Sequence, residues 1–193
     1  MRRWALVLAL LLPWPAWAHP HVLIDAHIIL LFDKGLIHAL QIGWKFDPVY
    51  SGTLVADFDQ DKSGTLSAKE ISAIEKDAFQ DTLQHQYFTY ASIDGQPVTW
   101  PPARDFKLLV QKDTLVYGFR LALPQPVDPR SHAFKVSTYE ESFYIDIDIP
   151  NDAAIRLVGD GSAGCRATLS EDRANPLLGG AAYPKKVVVT CEP

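Results

Sequence analysis

The sequence predicts an α+β fold, mainly antiparallel β and sandwich-like, with an EF-hand helix–loop–helix inserted after the first hairpin. Three observations carry that expectation. Every even position from Val22 to Phe32 is apolar, the period of a half-buried strand. An acidic, glycine-centred loop from Asp59 to Glu70 lies between two helical stretches. Beyond Tyr87 the chain is a series of short strand-like runs divided by proline, glycine and aspartate clusters.

The 193-residue chain opens MRRWALVLALLLPWPAWA. Arg2 and Arg3 precede an apolar run from Trp4 to Trp14, and Ala16-Trp17-Ala18 has the small-x-small form of a signal-peptidase site. The run is shorter than the ~20 residues that span a bilayer, so residues 1–18 are expected to be a cleaved signal peptide rather than an anchor. The mature chain, residues 19–193, is long enough for one domain with its own core. The net charge of −5 becomes more negative once the two arginines are lost. That balance argues against nucleic acid or an anionic membrane surface as partner. Export places Cys165 and Cys191 where disulfides persist. A bridge between them closes a loop of about 27 residues and contributes about 3–4 kcal/mol on the chain-entropy account.

The first hairpin is expected over residues 21–46. Asp33-Lys34-Gly35 reads as a three-residue turn, and pairing Phe32 with Leu36 sets Leu30 opposite His38, Ile28 opposite Leu40, Ala26 opposite Ile42 and Ile24 opposite Trp44. Asp47-Pro48 is an N-cap followed by proline at the first helical position, so a short helix is expected from Pro48 to about Phe58. A longer one, Ser67 to about Gln86, carries Ile71, Ile74, Ala78, Phe79 and Leu83 on or near one stripe. The expected strands that follow are 106–110, 114–123, 133–138, 143–149, 153–158 and 186–190.

The acidic loop matches a calcium-binding EF-hand at every position. Ca²⁺ takes six to eight hard oxygens, so oxygens must converge from alternate residues. Asp59, Asp61 and Ser63 offer side-chain oxygens at positions one, three and five, and Gly64 permits the sharp turn at six. Thr65 offers its carbonyl at seven, Ser67 a bridging water at nine and Glu70 a bidentate carboxylate at twelve, while Leu66 packs the loop onto the body. No second such loop is legible: Asp146-Ile147-Asp148 has Asn151 at six and Leu157 at twelve. Sensors open paired hands together, so a lone loop in an exported protein is read as a brace of weak affinity, ~10⁻⁴–10⁻³ M.

A second cluster is histidine-based. His19, His21, Asp25 and His27 share the odd face of the first strand. Same-face neighbours sit ~6.6 Å apart, close enough for His19 with His21, or Asp25 with His27, to converge on Zn²⁺, Ni²⁺ or Cu²⁺. His21 and Asp25 are ~13 Å apart, too far to share one ion with the rest. Pro20 lacks an amide N–H and excludes chelation through deprotonated backbone amides, which leaves the His19 amine plus imidazole. The alternatives are solvated histidines on a polar face, or a copper histidine brace built on His19 for oxidative chemistry. His38, His85 and His132 read as structural. No nucleophile–base pair, phosphate loop or dinucleotide fingerprint is present, and adjacent Glu140 and Glu141 are expected on opposite faces of a strand. The expectation is therefore a non-enzyme.

HPHVLIDAHI at 19–28, WKFDPVYS at 44–51, DFDQDKSGTLSAKE at 57–70, YFTY at 87–90 and TYEESFYIDI at 138–147 together resemble a bacterial family, domain of unknown function 1007, whose members are labelled as the periplasmic component of an uncharacterised transport system. The resemblance implies a periplasmic location and a link to nickel, cobalt or zinc handling, with a membrane metal transporter as partner. Residues and resemblance together lead to one expectation: a calcium-braced periplasmic accessory protein for transition-metal handling. The alternative is a calcium-stabilised interaction module with no transition-metal role.

Overall fold

The computed structural model describes residues 21–192. The expected signal peptide, residues 1–18, and His19 lie outside them. The chain begins with a long hairpin, β1 (Val22–Asp33) and β2 (Leu36–Phe46), followed by helix α1 (Pro48–Phe58) and helix α2 (Ala68–Ile74). Then come β3 (Thr89–Ile93), β4 (Gln96–Pro97), β5 (Arg104–Gln111), β6 (Thr114–Val127) and β7 (Phe134–Thr138). The chain ends with β8 (Ile145–Asp148), β9 (Ile155–Gly159), β10 (Cys165–Glu171) and β11 (Lys185–Cys191). Two sheets result, mainly antiparallel, in the orders β5-β6-β2-β1-β8 and β10-β11-β7-β3-β4. Strand β9 also pairs with β1, and both β8 and β9 run parallel to it. One cluster of buried side chains draws on both sheets: Ile28, Leu30 and Phe119 from the first, Phe134, Val136 and Val187 from the second.

The alternation in β1 settles its orientation. Val22, Ile24, Ala26, Ile28, Leu30 and Phe32 are all buried, whereas His21, Leu23, Asp25 and His27 are exposed. The hairpin register departs from expectation by two residues: Ile24 faces Phe46, Ala26 faces Trp44 and Ile28 faces Ile42. A two-residue slip keeps every side chain on its own face, so hydrophobic patterning cannot separate the two registers. What selects this one is a two-residue turn, Lys34 and Gly35 both at positive φ, with a bulge beside Phe32. The bulge leaves His38 half-buried instead of on the core face.

Helix α1 starts as expected. Asp47 Oδ1 accepts from the N–H groups of Val49 and Tyr50 at 2.8 and 2.9 Å, and its Oδ2 accepts from Leu23 N at 3.0 Å. One carboxylate thus caps the helix and ties it to β1. The second helix is shorter than its apolar stripe suggests. After Ile74 the chain takes a π turn, Glu75–Phe79, then a 3₁₀ segment that ends in three left-handed residues, Gln86, Tyr87 and Phe88. The π turn is the reason Ile74 and Phe79, five residues apart, both reach the core at 0% and 2% exposure. Each left-handed residue costs roughly 1–2 kcal/mol. Opposing that strain, Tyr87 is buried and its hydroxyl accepts from Ala103 N at 2.8 Å. Gln86 Oε1 accepts from Trp100 N, and Trp100 Nε1 donates to Thr89 O at 2.6 Å.

Cys165 and Cys191 are bonded and face each other at the ends of β10 and β11. Strand β10 was not expected from the sequence: Cys165, Ala167 and Leu169 alternate with polar residues, but the run is short and buries no residue fully. The segments 104–111, 114–127, 134–138, 145–148, 155–159 and 185–191 form where strands were expected, with shifted ends.

At Gly159 (φ 116°) a Cβ would run into the carbonyl oxygen of Phe32, so the end of β9 packs directly on the first hairpin. We predict that Gly159→Ala lowers unfolding free energy by about 3 kcal/mol or more. Gly52→Ala, inside α1 with nothing within 4 Å of the new methyl, is predicted to raise it by about 0.5–1 kcal/mol. Urea melts of the two variants check the pair; equal effects would contradict this packing.

Candidate metal centre

The two helices hold the acidic loop between them. On the entering side, Tyr50 packs against Phe46 with ring centroids 5.1 Å apart, Leu54 is buried, and Ser51 Oγ accepts from Leu115 N of β6 at 2.9 Å. On the leaving side, Ile74 is buried and Phe79 lies among Trp44, Tyr87, Phe106 and Phe119 at centroid distances of 4.6–6.2 Å. Leu66, in the loop itself, is half-buried against the same core, in the role its position suggested.

Inside the loop, backbone N–H groups converge on carboxylates. Ser63 N donates to Asp59 Oδ1 and to Asp61 Oδ1, both at 3.0 Å, and Gly64 N donates to Asp59 Oδ2 at 2.7 Å. Gly64 has φ 77°, the left-handed geometry that reverses the chain here. Ser63 Oγ lies 3.0 Å from Thr65 O, so the oxygens of positions five and seven are neighbours. Glu70 closes the ring. Its Oε1 accepts from Gln60 N at 2.8 Å, and its Oε2 accepts from Ser67 N and Ser67 Oγ at 2.8 and 2.7 Å. This one buried carboxylate therefore joins the start of the loop to its end and completes a capping box on α2.

Carboxylate oxygens of Asp59, Asp61 and Glu70 all lie within 4.8 Å of one another. Among the described residues this is the one place where three or more histidine, cysteine or acidic side chains come that close. Hydrogen bonding favours the charged form of two of these acids. The Ser67 N–H and hydroxyl hold the Glu70 carboxyl below its usual range, and the Ser63 hydroxyl and N–H do the same for Asp61. Three carboxylates gathered around serine and threonine oxygens form a hard-donor set. Such a set suits Ca²⁺ or Mg²⁺ and offers no nitrogen or sulfur to softer ions.

The histidine face does not close into a comparable group. His21, Asp25 and His27 are exposed on the outer side of β1 as expected, but His21 stacks on Tyr144 at a centroid distance of 4.7 Å. His27 stands beside Gly43. The remaining histidines have local roles. His85 stacks on Phe88 at 5.7 Å, and His132 Nδ1 lies 2.6 Å from Asp94 Oδ2. Glu140 and Glu141 lie in a turn instead of a strand. Glu140 folds back to accept from Ser142 N, Ser142 Oγ, Tyr144 N and Ile145 N at 2.7–3.3 Å, which occupies it structurally.

Sequence reasoning missed the second function of Glu70. The Ser67-Ala68-Lys69-Glu70 spacing is itself a capping-box signature that could have revealed it. It also missed Asp172, which is fully buried; nothing in the polar run SEDRAN distinguishes that acid from its neighbours.

No solved structure matches the chain. An uncharacterized protein of Haemophilus influenzae (strain ATCC 51907 / DSM 11121 / KW20 / Rd) is 19% identical, with all of both chains covered. The family described as protein of unknown function (DUF1007) matches residues 4–183, and the chain belongs to that family.

Proposed function

We propose that this is an exported calcium-binding accessory protein of the periplasm, in which an EF-hand ion held by residues 59–70 braces two helices against the sheets. The observation that carries the reading is the convergence of Asp59, Asp61 and Glu70 at the EF-hand ligand spacing. Asp59, Asp61 and Ser63 supply side-chain oxygens, Thr65 its carbonyl, Ser67 a water-mediated contact and Glu70 both carboxylate oxygens. Coordination by Glu70 takes the place of its hydrogen bonds from Ser67. The ion then performs the loop closure that those bonds perform here. Burial of Ile74 and Phe79 beyond the loop favours a brace over a sensor, since neither helix can swing out without exposing the core. Export is supported by the Cys165–Cys191 bond, because disulfides persist in oxidising compartments. Among the described residues no helix is long and apolar enough to cross a membrane.

Calcium at a hundredfold excess over its dissociation constant adds about 2.7 kcal/mol. In a chain of this size that is a rise of roughly 5–10 °C in Tm. Glu70→Gln keeps a capping-box residue but loses the bidentate anion, and is predicted to abolish most of that rise in a calorimetric scan with and without Ca²⁺. An equal rise in the variant, or none in the native protein, would refute the brace.

The proposal extends to transition-metal handling beside a membrane metal transporter, supported by the accessible imidazoles of His21 and His27 flanking Asp25 on one exposed strand face. Protein beginning at His19, saturated with Ca²⁺, is predicted to bind one equivalent of Zn²⁺, Ni²⁺ or Cu²⁺ in a calorimetric titration. The His21→Ala, His27→Ala double variant is predicted to lose that binding while melting at the same temperature. Unchanged affinity in the variant would remove the transition-metal role and leave a calcium-stabilised interaction module.

A further inference from the structure

On the outer side of the second sheet, far from the acidic loop in sequence, the segment after β10 folds back and buries Asp172 completely. Asp172 Oδ2 accepts from Asn175 Nδ2 at 2.7 Å, Ser137 Oγ at 3.2 Å and Lys135 Nζ at 3.4 Å. Its Oδ1 accepts from Lys186 Nζ at 3.3 Å. A carboxylate has about four lone-pair positions; here three donors crowd Oδ2 and one reaches Oδ1. Two lysines share one acid, so the cluster carries a net positive charge.

Beside this cluster lies a cavity of about 280 Å³, lined by Tyr90, Lys135, Ser137, Tyr139 and Asn175 among others. The rings of Tyr90 and Tyr139 stack on each other at 4.3 Å with 24° between their planes, so an aromatic pair makes up one wall. Burial pushes the Tyr90 phenol up to about 12 and raises that of Tyr139, so both hydroxyls remain donors. Lys135 has two further N–H groups and Asn175 one. The side chains the cavity offers are therefore mostly donors around a cation, since Asp172 Oδ2 already receives three of its own. Binding Asp172 does not by itself call for a second lysine, since one neutralises it. The additional charge is explained if a second anion enters.

We infer that this cavity binds a small planar carboxylate anion, its carboxylate on Lys135 and Asn175 and its flat portion against the Tyr90–Tyr139 wall. The volume is at the lower end for ligand pockets, which restricts the ligand to about the size of benzoate. The assignment is independent of the calcium loop, and the test is made in saturating Ca²⁺.

Benzoate is titrated into ¹⁵N-labelled protein beginning at His19, and amide shifts are followed. Saturable shifts are expected at residues 90, 135, 137 and 175. Lys135→Met should weaken affinity roughly tenfold or more, while Lys135→Arg retains it. Tyr139→Leu, which makes no hydrogen bond to Asp172, should weaken binding even if Lys135→Met loosens the fold. Equal affinity in the native and Tyr139→Leu proteins, shifts scattered over the surface, or benzylamine moving the same amides would overturn the assignment.

Discussion

The packing of Phe79 against Phe119 and Trp44, at centroid distances of 4.8 and 6.2 Å, is the contact on which the helical excursion depends. Residues 47–88 leave the sheets after β2 and must return to begin β3. At the departure, Asp47 and Ser51 bond to β1 and β6. At the return, Trp100 N and Ala103 N bond to Gln86 and Tyr87, but those ties lie beyond α2, which is itself held by Ile74 and Phe79 buried in the core. Removing that aromatic anchor would release α2, and with it the position of Glu70. The π turn that brings Phe79 inward is consequently part of the architecture of the candidate metal centre, although it lies outside the loop.

Glu70 transmits this anchoring to the loop. It rises from the first turn of α2 and reaches back across ten residues to Gln60 N while also capping its own helix at Ser67. A helix start fixed by core packing thereby fixes the far side of the ring on which Asp59 and Asp61 sit. A calcium ion placed there substitutes for hydrogen bonds that already close the loop. That is the physical reason to expect a gain in stability instead of a large conformational opening.

Much of this was legible in the sequence where one side chain decides one feature. Asp47-Pro48 placed the start of α1, the even positions of β1 placed its buried face, and the two cysteines, read as lying in an exported chain, placed the bridge. The spacing of Asp59, Asp61 and Glu70 placed the acidic cluster. Features decided by competition between equivalent arrangements were not legible. Two hairpin registers bury the same faces, and the turn geometry at Lys34 and Gly35 chooses between them. A stripe at helical period cannot reveal a π turn, so the helix expected from Ser67 to about Gln86 runs past the end of α2 at Ile74. The parallel pairing of β8 and β9 with β1 joins segments more than a hundred residues apart, and no local signal announces it. Asp172 resembles any loop acid until the fold covers it.

The central claim is that an ion at residues 59–70 fastens both helices to the sheets. Native-state amide hydrogen exchange with and without Ca²⁺ tests it most directly, since exchange reports local opening free energies segment by segment. The account predicts that Ca²⁺ slows exchange in the loop and in both flanking segments, 48–58 and 68–79, with little change in β10 and β11. Protection limited to the loop, or no protection anywhere, would contradict it.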